Sequence, residues 1–174
     1  DRDGVPYYKP NEQGVVENRD YFQGDFAGIQ EKLPYLKDLG VTCLYLNPVF
    51  EAHSNHRYNT ADYYKVDPLL GTEEEFTDLC RAAAGMGIRI ILDGVFSHTG
   101  SDSVYFNREG RYGEHVGAYR SPFSPYCSWF KFEEYPDKYS SWWGIDTLPE
   151  VKEENEDYLA FITGDEEGWS WTKS

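Results

Sequence analysis

Three features of this 174-residue sequence predict a parallel α/β fold carrying an irregular, aromatic-rich segment. Two short apolar runs, VTCLYLN at 41–47 and IRIIL at 88–92, lack the alternation of a half-exposed strand and read as strands covered on both faces. A helix with clear start and stop signals lies between them, which implies a right-handed parallel crossover. After His98 the periodicity fades for about fifty residues while Tyr, Trp, Ser, Pro and Gly accumulate.

The elements follow in order. Residues 1–24 are polar and turn-rich, without a clear period. In DFAGIQEKLPYLKDLG, the residues Phe26, Ile29, Leu33, Leu36 and Leu39 recur at helical spacing, with Asp25 as N-cap and Gly40 as stop. Pro34 removes one backbone donor and predicts a kink or a split there. After the first strand, Asn47 to Gly71 has loop chemistry. Thr72 to Glu75 then spells a capping box, and Phe76, Leu79, Cys80 and Ala83 form the next apolar stripe, ended by Gly85 and Gly87. Following the second strand and the aromatic segment, NEDYLAFI opens a further helix at Asn155.

Composition narrows the function. Net charge is −15, so binding through neutralised phosphates is disfavoured and no nucleic-acid partner is expected. Twelve acids fall within residues 133–167 beside only Lys138 and Lys152, which reads as a solvated surface rather than a metal cluster. Cys43 and Cys80 read as buried small hydrophobes, and no Cys spacing suggests zinc or a disulfide framework. No apolar stretch spans a membrane and no signal peptide is evident, so the expectation is a cytoplasmic protein with no membrane partner. Aromatic residues reach 17 %, which suits either an open cleft for amphipathic ligands or a loop-rich region pinned by ring packing.

The candidate site lies where parallel sheets place chemistry, beyond the carboxyl ends of the strands. Asp93 is the first polar residue after the second strand, and His98 follows five residues later. Each alone suits a structural role; together, ahead of an aromatic segment, they favour a site. The earlier loop clusters His53, His56, Tyr58, Asn59, Asp62, Tyr63 and Asp67, a set that matches polyol recognition better than any zinc or EF-hand spacing. Nucleotide-binding glycine motifs and a serine-nucleophile elbow are both absent from the sequence.

The blocks GDFAGIQEKLPYLKDLGVTCLYLNPVFEAHSNHRYNTADYYKVDPLLGTEEEF and GIRIILDGVFSHTG, with LPEVKEEN further on, resemble the alpha-amylase family of glycoside hydrolases. The closest branch is that of neopullulanase, cyclomaltodextrinase and alpha-glucosidase. The resemblance runs from about Tyr21 to Tyr158 and implies part of a (β/α)8 barrel, with 41–47 as its second strand and 88–92 as its third. It implies a partial barrel over residues 1–98, an inserted domain B over 99–147, and the start of the return to the barrel over 148–174.

Residue by residue, the resemblance makes Tyr58 the ring that stacks on a sugar, His98 a hydrogen-bonding partner of that sugar's hydroxyls, and Asp93 an orienting acid. The family pairs that acid with an arginine from a later strand, so that here it is left bare or finds Arg57 or water instead. Ser97 stands where many members carry an asparagine that helps hold calcium, so no cofactor or metal is expected. The family's aspartate nucleophile and glutamate acid follow strands that this chain does not contain. The terminal GWSWTKS echoes the nucleophile block without its arginine or aspartate. No residue here is therefore assigned a catalytic role.

The resemblance implies a fragment of an alpha-glycosidase acting on malto-oligosaccharides, cyclodextrins or pullulan, inactive alone. The alternative is a non-catalytic carbohydrate-binding module built on the aromatic segment. Self-association through open sheet edges, or protection of those edges by the polar N-terminal segment, is also expected.

Overall fold

A computed structural model describes residues 24–164, together with Pro10, Glu12, Gly14 and Tyr21. The GWSWTKS echo and most of the polar N-terminal segment lie outside the described residues. Within the described chain no helix is long and apolar enough to cross a membrane. The chain divides into two compact units. One comprises the described residues through Arg57 with Tyr63–Asp93; the other comprises Tyr58–Asp62 and the described residues from Gly94 onward.

The first unit holds the parallel α/β core. Helix α1 spans Phe26–Asp38, and the Asp25 carboxylate caps it by accepting from the Gly28 amide at 2.7 Å. The helix continues through Pro34 instead of splitting. Pro34 and Gln30, whose carbonyl loses its partner, both lie on the solvent face, where water can satisfy the freed acceptor. Leu39 caps the helix, and Gly40 then takes a left-handed φ of 88°, so the stop falls where the sequence predicts it.

Strand β1, Cys43–Leu46, pairs in parallel with a strand reached through a helix. That helix, α2 (Glu73–Gly85), opens with the reciprocal Thr72–Glu75 capping box and three acids in its first turn, which suits the positive end of the helix dipole. Helices α1 and α2 pack through Phe26, Leu33, Leu79 and Ala83, all fully buried, with the Phe26 and Phe76 rings 5.1 Å apart.

The predicted loop from Asn47 to Gly71 contains two strands, β2 (Phe50–Ala52) and β3 (Thr60–Val66), which pair with each other. Its apolar and β-branched residues are too scattered among polar ones to register as strands in the sequence. Strand β4, Arg89–Leu92, completes the parallel pair in the register Cys43↔Arg89 to Leu46↔Leu92. The sheet is not covered on both faces. Tyr45 is 61 % and Ile91 50 % exposed, because α1 and α2 pack on each other and, among the described residues, leave the opposite face open. Cys43 and Cys80, expected to be buried, are free thiols and only half-buried.

The second unit is irregular and built on rings. Tyr105, Tyr126, Trp129, Tyr158 and Phe161 form one cluster; Phe106, Phe130, Phe132 and Tyr139 form another, with centroids 4.6–5.9 Å apart around Phe106. Most of the aromatic surplus therefore goes to packing. Its regular elements are short: β5 (Phe132–Glu134) and β6 (Lys138–Tyr139) pair antiparallel, and α3 (Glu156–Thr163) is capped by Asn155.

Loops carry the rest through side-chain amides and backbone pairs. The buried Asn107, at φ 58°, donates to the carbonyls of Gly113 and Val116 and accepts from the Tyr112 amide. Gly117 approaches it so closely that a Cβ would fall 2.5 Å from the Asn107 Cβ, which is why only glycine fits. The segment Tyr58–Asp62 is tied in by amides of Gly100 and Val104 that donate to the carbonyls of Thr60 and Ala61.

Candidate functional site

His98 sits at the centre of the second unit's polar site and is 5 % exposed. Its backbone is held by the segment at Glu150–Val151: the preceding Ser97 carbonyl accepts from the Val151 amide, and His98 forms an isolated antiparallel bridge with Glu150. The imidazole Nε2 lies 3.1 Å from the Tyr58 carbonyl oxygen, and Nδ1 lies 3.1 Å from the Ser97 hydroxyl. A carbonyl can only accept, so Nε2 carries the proton and Nδ1 accepts from Ser97. Burial pushes the imidazole pKa below its ordinary 6.5, with the Tyr58 carbonyl and the charge of Glu150 pulling the other way, so the ring is neutral at neutral pH. The Trp142 ring leans on it with centroids 5.3 Å apart.

This geometry gives His98 a definite task. It fixes the backbone of Tyr58, a residue that stays 37 % exposed. Both ring nitrogens are spent, so a sugar hydroxyl reaches the imidazole only by displacing the Tyr58 carbonyl or Ser97. The structure thus brings Tyr58 and His98 together, with a shared hydrogen bond that the sequence does not reveal. Ser97 and Trp142 join them. Ser97 stands out in the sequence only as a departure from a calcium ligand, and Trp142 only as one aromatic among many.

Asp93 belongs to the first unit and closes its parallel ladder. Its amide donates to the Leu46 carbonyl at 3.0 Å, one step beyond β4. The Tyr45 hydroxyl hydrogen-bonds its carboxylate, and the phenol pKa is raised by partial desolvation, by that bond and by the carboxylate's charge. Arg57 is not the partner. Its Nε is 2.6 Å from Asp67 Oδ2, with both groups largely buried, and its Nη1 donates to the Asn55 carbonyl. Arg57 holds a left-handed φ of 61°, and Asp67 also accepts from the Leu69 amide, so this pair pins the loop that leads into Tyr58.

The loop's polar cluster is therefore less available than its composition suggests. Tyr63 and Asp67 are buried within the first unit, and Asp62 is buried within the second, beside the Tyr105 hydroxyl at 3.4 Å. Among the described residues no group of three or more His, Cys, Asp or Glu is placed to hold a metal ion, and the Ser97 hydroxyl is turned to the imidazole.

A parallel β–α–β unit with an acid directly after its second strand is an arrangement that parallel α/β folds, barrels among them, contain. Residues 3–173 match the family profile described as "Alpha amylase, catalytic domain", and the chain belongs to that family. It is 48 % identical over 158 residues to the amylopullulanase of Thermoanaerobacterium saccharolyticum, covering 87 % of this chain and 12 % of that protein.

Two solved structures share the fold at appreciable identity. The type III pullulan hydrolase from Thermococcus kodakarensis is 39 % identical with a TM-score of 0.68, over 79 % of this chain and 24 % of that one. The cyclic alpha-maltosyl-(1→6)-maltose hydrolase from Arthrobacter globiformis, in complex with maltose, is 31 % identical with a TM-score of 0.72, over 88 % and 34 %. The chain thus carries a section of a (β/α)8 barrel and spans well under half the length of these relatives.

Proposed function

We propose that this chain supplies part of the α-glucan cleft of an alpha-amylase-type glycosidase, with malto-oligosaccharides or pullulan as the substrate class, and that it carries none of the bond-cleaving groups. The observation that carries this reading is the Nε2–H hydrogen bond from the buried, neutral His98 to the Tyr58 carbonyl. It fixes the backbone of the residue whose ring the family pattern assigns to a sugar, and that residue stays 37 % exposed. A flat phenol face matches the C–H surface of a pyranose, and its hydroxyl can meet sugar oxygens at the rim. The names of the relatives, which refer to pullulan and maltosyl-maltose hydrolysis, support the same substrate class.

In this reading His98 is a positioning residue, acting through Tyr58. Asp93, held by the Tyr45 hydroxyl, is an orienting acid and not a nucleophile. Residues 99–147 correspond to the inserted domain B of the family. Retaining cleavage needs two carboxylates about 5–5.5 Å apart across the scissile bond, and the family draws both from later strands. Stacking and hydrogen bonding alone hold ground state and transition state about equally, which leaves the chemical rate unchanged.

Tyr58→Ala tests the assignment. Titration with maltotriose, followed by tryptophan fluorescence, should show affinity reduced by about 1 kcal/mol, roughly fivefold. Equal affinity in the variant removes Tyr58 from the cleft.

A further inference from the structure

The turn at residues 141–145 carries a feature that the Tyr58–His98 pair does not use. Trp143 is 86 % exposed, yet its backbone sits in the left-handed region at φ 54°, ψ 25°, where a bulky side chain is rarely found and Asn or Gly is favoured. Gly144 follows at φ 75°. The turn is held by amides of Trp142, Gly144, Ile145 and Leu148, which donate to the carbonyls of Leu148, Ser141, Trp142 and Ile145 at 2.9–3.1 Å, and by a bridge between Ser141 and Pro149. The exposed ring is therefore presented on a fixed backbone and is not a loose surface side chain.

Three rings stand in a row there. His98 and Trp142 have centroids 5.3 Å apart, and Trp142 and Trp143 stack at 5.2 Å with an interplanar angle of 22°. One face of Trp143 lies on Trp142 and the other is open. Burial does not explain an indole in this conformation, because the ring is the least buried of the three. Left-handed backbone at a bulky residue is a feature that clusters at ligand sites.

We propose that Trp143, backed by Trp142, is a second glucan-stacking platform. It would take a glucose unit of the same α-glucan chain beyond the unit at Tyr58, and so set a preference for longer oligosaccharides. The proposal rests on the α-glucan reading of Tyr58 and His98, and it concerns binding alone.

The test compares maltose with maltohexaose on the full chain, its Trp143→Asn, Trp143→Phe and Tyr58→Ala variants, by calorimetric titration and thermal unfolding. Asn suits the left-handed backbone, so Trp143→Asn should unfold at a temperature no lower than the parent chain. The parent should bind maltohexaose several-fold more tightly than maltose. Trp143→Asn should lose about fivefold or more of the maltohexaose affinity while keeping that for maltose, and Trp143→Phe should recover part of it. Tyr58→Ala should weaken both ligands.

The proposal is overturned if the parent chain does not prefer maltohexaose, if Trp143→Asn binds it as the parent does, or if that variant weakens both sugars alike. A clear fall in its unfolding temperature would also overturn it, making the ring a packing element. Loss of maltohexaose affinity in Trp143→Asn, together with unchanged maltose affinity in Tyr58→Ala, keeps the platform and rejects the Tyr58 assignment instead.

Discussion

At the scale of single residues, His98 links stability to pH. The folded ring is held neutral, with its pKa below 6.5, mainly by burial. The unfolded ring takes up a proton as pH falls through about 6.5, so the unfolded state binds more protons in that window and stability declines on acidification. An NMR titration should place the His98 midpoint below 6.5, and the acid-side loss of unfolding free energy should shrink in His98→Gln. A midpoint at or above 6.5 would contradict the buried, neutral assignment. The positions of Asp93 and His98 were legible in the sequence, because a polar residue directly after an apolar strand has few places to go. Their partners were not. Periodicity reports which face a residue occupies, not that the Ser97 hydroxyl meets Nδ1, that Tyr45 meets Asp93, or that Arg57 is committed to Asp67. The left-handed backbone of Trp143 was equally hidden, since it depends on a turn closed by residues on both sides.

At the scale of elements, the helices were the most legible because their ends carry side-chain chemistry. Asp25, Thr72 and Asn155 each accept a backbone amide of the first turn, as the capping patterns require. Thr72→Ala removes the acceptor for the Glu75 amide and breaks the reciprocal box, so denaturant unfolding should show a loss of about 1 kcal/mol. A change within error would mean that α2 is fixed by its packing on α1 alone. Pro34 does not split α1, because the penalty of a helical proline depends on whether the freed carbonyl is buried, and Gln30 is exposed. Strands β2 and β3 were missed because short pairs at a loop's margins show too little alternation to stand out. The aromatic segment was ambiguous for a different reason. Ring composition suits a cleft or a core equally, and only contacts such as those of Tyr105 and Phe106 separate the two.

At the scale of the whole molecule, a parallel pair with an open face bears on both association and function. Among the described residues β1 and β4 pair only with each other, leaving one edge of each strand unpaired, and Tyr45 and Ile91 exposed beside them. The charge of −15 opposes contact between copies at low ionic strength. Sedimentation should therefore show association that increases as salt is raised from about 0.01 to 0.15 M, where the Debye length falls from about 30 to 8 Å. A monomer at every salt concentration would show the edges to be protected. The parallel architecture and the placement of Asp93 at its carboxyl edge were legible from two apolar runs and one capped helix. The extent of coverage was not, because apolar strands look alike whether or not a further layer packs on them. The central claim is that this chain binds α-glucan without cleaving it, and one calorimetric experiment separates the outcomes. Injecting maltotriose into the purified chain should give heats that saturate and return to baseline after each addition. A baseline displaced by continuing turnover, surviving further purification and vanishing in Asp93→Asn, would contradict the claim, as would a trace with no binding heat at all.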